Sequence, residues 1–253
     1  IQMPIAFALG ISALTYITIM EIPLNIIAQK MYAGMDSFTL ICIPSFILAG
    51  NLMNTGGITR RIVDFANVFV GHIRGGLAYV TILASMFFAG ISGTALGETA
   101  SLGAILIPAM KDSEYDDDFA AALTASSSIV GPIIPPSVPM VIVGTLTSLS
   151  IAKMFVGGMI PGIILGIMFM IPTYIISKKR NYPKQDKLPK DVAIRHILDA
   201  IWALMMPIIL MGGILSGIFT ATEASIVTVL YAIIVGVFVY RELNFTNIFR
   251  IFK

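Results

Sequence analysis

The sequence predicts an all-α integral membrane protein, and three observations predict it. Of its 253 residues 57% are hydrophobic and only 12% charged, with a mean hydropathy of +0.92, whereas a globular domain is about 25% charged. The apolar residues come in helix-sized runs rather than alternating segments of about ten, so the spans are helices and not barrel strands. Two runs are broken in the middle, by small residues and glycines at 90–97 and by glycine and prolines at 131–139. The predicted architecture is therefore a helical bundle with a re-entrant hairpin and a proline-broken helix.

In chain order, residues 3–20 form a first span, 21–36 a loop or interfacial segment, and 37–53 a second span. Arg60, Arg61, His72 and Arg74 place the next connection on the cytoplasmic side, where positive charge accumulates. Residues 77–110 follow, with Glu98 as their only charged side chain. They are too many for one span of about 20 residues and too few for two spans and a loop. A hairpin that enters and leaves from the cytoplasmic face satisfies the length. The acidic run Asp112, Glu114, Asp116, Asp117, Asp118 precedes a helix, where carboxylates cap free N–H groups and complement the dipole. Residues 119–152 cross outward without a charge, Lys153 marks the outer turn, and 154–177 return to a strongly basic loop at 178–195. That loop holds Lys178, Lys179, Arg180, Lys184, Lys187, Lys190 and Arg195 and is expected in the cytoplasm. Spans at 200–219 and 221–240 bring the chain back to Arg241. The expected parts are scaffold or arm helices (1–76), hairpin (77–110), broken helix (111–153), span with basic loop (154–199) and a further segment (200–253). Ile1 lies inside an apolar pattern and Lys253 ends a short basic stretch, so the chain reads as a fragment.

In the second broken run each proline lacks an N–H and crowds the carbonyl four residues earlier. The carbonyls of Ser128, Gly131, Pro132 and Pro135 are thus expected to lose helical partners. Residues 119–130 would reach about 18 Å and residues 77–90 about 21 Å at 1.5 Å per residue, so both breaks reach the middle of a core about 30 Å thick. Hydroxyls of Ser92, Thr94, Ser126, Ser127, Ser128 and Ser137 and two half-helix N-termini would meet there. Carbonyls and hydroxyls are hard ligands for a dehydrated Na⁺, and positive helix ends favour an anion, as in a secondary-transporter site. A proline kink packed by neighbouring helices is the plainer alternative.

Glu98 is costly in lipid, which points to ion, proton or substrate handling, although the first turn of a return helix also favours a carboxylate. Thr220 and Glu223 have capping-box spacing. Asn25, Asn51 and Asn54 fall at span edges, and His72 and His196 stand beside arginines in interfacial segments, away from metal binding or a deep proton relay. The single cysteine, Cys42, excludes an internal disulfide and a cysteine-based zinc site and reads as a core residue. The basic loop has only Tyr182 interleaved, so its charge reads as topology rather than as a nucleic-acid surface. Gly90-Ile91-Ser92-Gly93 also fits the Gly-x-Ser-Gly pattern of intramembrane serine proteases, but no histidine lies at membrane depth to act as base. A channel with a re-entrant filter is the other alternative.

The segments ISGTALGETASLG (91–103), IPAM (107–110), GPIIPPS (131–137) and GIFTATEA (217–224) closely resemble the large membrane subunit of TRAP transporters, as do IPSFILAGNLM (43–53) and GHIRGGL (71–77). The resemblance covers essentially the whole chain. It implies an elevator-type secondary transporter of the bacterial inner membrane that takes up C4-dicarboxylates, sialic acids or related organic acids with Na⁺, and no enzyme activity or organic cofactor. It implies a small membrane subunit and a periplasmic binding protein as partners. Family sodium sites use the hairpin tip and broken helix, here Ser92, Gly93, Thr94, Gly131, Pro132, Pro135, Pro136 and Ser137, with substrate near Thr94, Ser137 and Glu98. Thr94 stands where serine is common, and Glu98 where a small residue or aspartate is expected. Two inverted repeats are implied, of which this chain would hold the first and the start of the second, so that alone it should not transport.

Overall fold

The computed structural model describes residues 3–244 together with 248 and 251. The described residues are helical, with one isolated antiparallel bridge between Arg74 and Lys184. The chain divides into two units, Ile1–Phe38 and Thr39–Lys253.

In the first unit α1 spans Ile5–Ile19 and buries no residue, and α2 spans Asn25–Met35. The segment expected as a loop or interfacial stretch is thus mostly helix. At 15 residues α1 is about 22 Å long, short of the 30 Å core that the expected span needs.

Among the described residues four helices are long and apolar enough to cross a membrane: Phe38–Thr55, Ile151–Lys179, Lys190–Leu215 and Ala221–Val239. The first consists of a 3₁₀ turn leading into α3 (Cys42–Thr55). The charged connection after it is itself a helix, α4 (Ile58–Val70). Ile58, Ile62, Val63 and Ala66 recur at helical spacing and are buried, while Arg60 is exposed.

The central element is α5 (Gly76–Ser92), buried along most of its length. A helix apolar all round must be surrounded, and α3, α4, α6 (Ala95–Asp112), α7 (Asp117–Ser127), α9 (Ile151–Lys179) and α10 (Lys190–Leu215) pack against it. Phe88 and Ile91 of α5 meet Leu102 and Leu106 of α6, Leu52 of α3 and Met206 of α10 in one core. A smaller core holds Cys42, Phe46, Phe155 and Leu210. In lipid such burial stabilises through close packing rather than water release. Along α9, Ile160, Ile164, Ile167, Ile171 and Ile175 remain exposed, a face that suits acyl chains and not water.

Two boundaries differ from the sequence reading. Helix α9 runs on through Lys179 and α10 begins at Lys190 behind Pro189, so the basic loop shrinks to residues 180–189. Its fixed φ suits Pro189 to a helix start, Asp191 complements the dipole, and Ile194 and Leu198 continue the helical pattern. Helix α11 (Ala221–Ile234) passes into a π turn at Val235–Val239.

The acidic run is used differently from the expectation. Asp117 and Asp118 lie in the first turn of α7, but no side chain caps that helix. Lys111 bonds Asp117 at 2.8 Å. Asp116 accepts from Tyr182 Oη at 2.7 Å and from Arg180, and Tyr182 stacks on Tyr115 at 4.3 Å. With Gly75 N–H donating to Pro183 O at 3.0 Å, this ties the hairpin base to the end of α9. The Tyr182 hydroxyl and then Arg180 hold the Asp116 carboxyl below its usual range. The tie therefore contributes above the ordinary aspartate value of about 3.9 and is lost as pH falls through the lowered one. Asp116→Asn is expected to unfold at a lower temperature than the parent at neutral pH, the two curves converging in acid once the Asp116 carboxyl is protonated. A gap equally wide in acid would assign the loss to packing.

Candidate functional site

The hairpin turns within two residues. Helix α5 ends at Gly93 with φ +59°, and Thr94, in extended backbone, caps α6 by accepting from Gly97 N–H at 3.2 Å. The break expected at 90–97 is therefore narrower, with Gly90, Ile91 and Ser92 still helical. Gly90 serves a close approach inside the helix and not the break: an added Cβ would lie 3.0 Å from Pro207 of α10.

In the second broken run α7 tightens into a 3₁₀ turn at Ser128–Val130, and helix resumes at α8 (Val138–Thr147). Ser137 caps α8, its Oγ accepting from Met140 N–H at 3.2 Å and donating to Pro132 O. Ser128 O accepts from Gly131 N–H at 3.1 Å. Two of the four carbonyls expected to be free are thus paired, because a 3₁₀ turn and a cap supply what the prolines remove. The hydroxyls of Ser127 and Ser128 also turn inward, donating to Thr124 O at 3.1 and 2.8 Å.

The two breaks meet. Val138 N–H donates to Gly93 O at 3.1 Å, and a Cβ on Gly93 would lie 2.5 Å from Pro136 O. A Cβ on Gly131 would fall 2.4 Å from Glu98 Oε2, 3.2 Å from Ser128 O and 3.4 Å from Thr94 O. Three oxygens from both breaks thus converge on the Gly131 Cα. Glu98 is 0% exposed, and neither carboxylate oxygen has a hydrogen-bond partner among the described residues. The neighbouring Ser85 hydroxyl of α5 donates to Ser127 Oγ at 3.0 Å. Ser85, a lone serine in an apolar run, carries no local signal of this contact.

Buried polar groups are ordinarily paired, and a buried carboxylate without a partner carries a desolvation cost of several kcal/mol. A small cation among hard oxygens would offset that cost. Of the expected residues, Ser92, Gly93, Thr94, Gly131, Pro136 and Ser137 stand at this junction, and Pro132 and Pro135 border it through Ser137 and Gly90. Ser92 Oγ contacts Thr94 O at 3.4 Å. The two histidines line other cavities, His72 with Asn67 and Lys187, His196 with Arg60 and Glu242, so neither stands beside Ser92. Glu223 is structural, in a complete capping box with Thr220.

The family model for the DctM component of tripartite ATP-independent periplasmic transporters matches residues 1–253. The chain is 44% identical to the sialic acid TRAP transporter large permease protein of Vibrio cholerae, covering 99% of this chain and 59% of that one. It is 41% identical to the 2,3-diketo-L-gulonate TRAP transporter large permease protein of Escherichia coli, over 99% of this chain and 59% of that one. With the C4-dicarboxylate TRAP transporter large permease protein of Pseudomonas aeruginosa it shares 38% identity over 95% of this chain and 56% of the relative. The chain thus spans a little over half the length of these relatives. A match along its whole length, joined to a multi-pass helical fold, shows that the chain belongs to the DctM component family of tripartite ATP-independent periplasmic transporters.

Proposed function

We propose that the chain supplies the first part of the large membrane subunit of a secondary transporter in the bacterial inner membrane, which takes up an organic acid with Na⁺. Its partners are a small membrane subunit and a periplasmic binding protein that delivers a C4-dicarboxylate, a sialic acid or a related acid. The observation that supports this most is the buried, unpartnered Glu98 carboxylate beside the carbonyls of both breaks. The residues present fit Na⁺. Ser92, Gly93, Thr94, Gly131, Pro132, Pro135, Pro136 and Ser137 would hold it, and Glu98 would neutralise it. Thr94 and Ser137, each capping a half-helix, put positive helix ends beside an anionic substrate. Glu98, first expected near the substrate, serves the cation better, since its charge would repel an acid. The hairpin, re-entrant from the cytoplasmic face, and the broken helix are joined by the Val138–Gly93 bond and would move as one body in an elevator step.

The test is uptake in proteoliposomes holding the complete permease, its small subunit and the binding protein. Uptake is expected to require Na⁺ and to fall several-fold in Ser92→Ala. Uptake at full rate without Na⁺ would overturn the cation assignment.

A further inference from the structure

At the charged end of α10 a cavity opens toward α4, lined by Arg60 and Asp64 of α4 and by Arg195, His196 and Asp199 of α10. Arg61 and Glu242 complete its wall but are already engaged: Arg61 bonds Glu242 at 2.8 Å and lies 3.7 Å over the Tyr240 ring. The other charges are not. Among the described residues Arg60 and Asp64 form no ion pair, and Arg195 and Asp199 approach only to 4.0 Å. His196 Nδ1 is buried with no hydrogen-bond partner among them, whereas buried polar atoms are ordinarily paired. Cations at the end of a span are expected on topological grounds, but carboxylates contribute little to orientation. Asp64 and Asp199 therefore call for a partner of their own.

Beyond the cavity α10 turns apolar. Leu198, Trp202 and Met205 follow Arg195 at steps of three and four residues, so they share one face of the helix, and all three are exposed. Tyr231 and Tyr240 donate to the backbone carbonyls of Trp202 and Asp199, each at 2.7 Å. Trp and Tyr gather where headgroups meet acyl chains. The order along the helix is that of a phospholipid: charges of both signs, an aromatic boundary, an apolar track. We propose that this surface holds a phospholipid with an ethanolamine headgroup, its phosphodiester on Arg60 and Arg195, its ammonium on Asp64 and Asp199, and an acyl chain along Leu198, Trp202 and Met205. Charge decides the headgroup. A purely anionic one leaves both carboxylates unmatched. A choline ammonium has no N–H to donate, and the aromatic cage that favours such a group is missing, since none of the described lining residues is aromatic. A primary ammonium brings three donors. Such a site depends on the membrane fold alone and not on the cation reading.

The test places the complete permease and its small subunit in phosphatidylcholine nanodiscs doped with a lipid whose acyl chain is brominated and whose headgroup is ethanolamine, choline or glycerol. Bromine quenches indole fluorescence on contact, and the Trp202 signal is the difference between the parent and Trp202→Phe. The ethanolamine lipid is expected to half-quench Trp202 at a mole fraction about tenfold lower than either of the others, the effect of one hydrogen bond between charged groups. Asp64→Asn with Asp199→Asn leaves the guanidinium groups in place and should turn the preference to the anionic glycerol headgroup. Arg60→Gln with Asp64→Asn leaves the net charge unchanged and should bring the three lipids close to equality. Equal quenching by the three lipids in the parent, an ethanolamine preference that survives in either double variant, or no quenching of Trp202, as when protein covers this face, overturns the site.

Discussion

Gly93→Ala is expected to abolish uptake while leaving the helices in place. The residue carries φ +59°, and an alanine held in left-handed backbone costs about 1–2 kcal/mol. The larger effect is steric. The added Cβ would sit 2.5 Å from Pro136 O and 3.3 Å from Val138 N, and both are backbone atoms that cannot rotate aside. The tip must withdraw from the broken helix, breaking the Val138–Gly93 hydrogen bond and separating the two sets of oxygens. The local readout is hydrogen exchange at the Val138 amide, which should lose protection in the variant. Gly157→Ala is the control, because nothing lies within 4 Å of its added Cβ. Retained protection at Val138 together with wild-type uptake would show that the junction tolerates a looser tip and would remove its docking from the mechanism.

That junction was partly legible in the sequence, and the illegible part has a physical pattern. Length alone announced the hairpin, and prolines announced the broken helix, because both follow from local rules. The exact turn did not follow. Gly90 looks like part of the break in the sequence, yet it is helical, and its missing side chain is explained by α10, more than a hundred residues later, which brings Pro207 against it. In the same way the prolines removed helical partners as expected, but Ser137 and the 3₁₀ turn recovered two of them through contacts that need three-dimensional placement. Arg60 and Arg61 were legible as topology, and their positive charge hid the apolar period of α4. Ser92, Gly93, Thr94 and Ser137 could be named from their motifs. Ser85 could not, since a single serine in an apolar helix carries no information about the neighbour it faces.

Glu98→Gln is expected to have the largest effect on ion response, and its sign differs with and without Na⁺. The two side chains are nearly isosteric, so the variant keeps the packing against Gly131 and removes the charge alone. Among the described residues no cationic side chain bonds the Glu98 carboxylate. Helices α3 and α5 contain no charged residue, Asp117 and Asp118 lie at the far end of α7 from its junction with the break, and the lysines of α9 sit at its two ends. Without Na⁺ the parent therefore buries an unpaired carboxylate, and the glutamine variant should be the more stable of the two. With Na⁺ the order should reverse. A ligand that binds only the folded state stabilises it by about 2.7 kcal/mol at a hundred times its dissociation constant, and the variant, with a neutral amide beside the carbonyls, should gain little of this. Thermal unfolding of the complete permease across a Na⁺ series, with choline holding ionic strength constant, reads both halves at once. Parallel curves for parent and variant would return Glu98 to a packing role, because a carboxylate that met the cation could not be neutralised without changing the slope. Crossing curves would fix it as the charge that the ion balances, and would explain why a chain this apolar keeps Glu98 fully buried where two helix breaks meet.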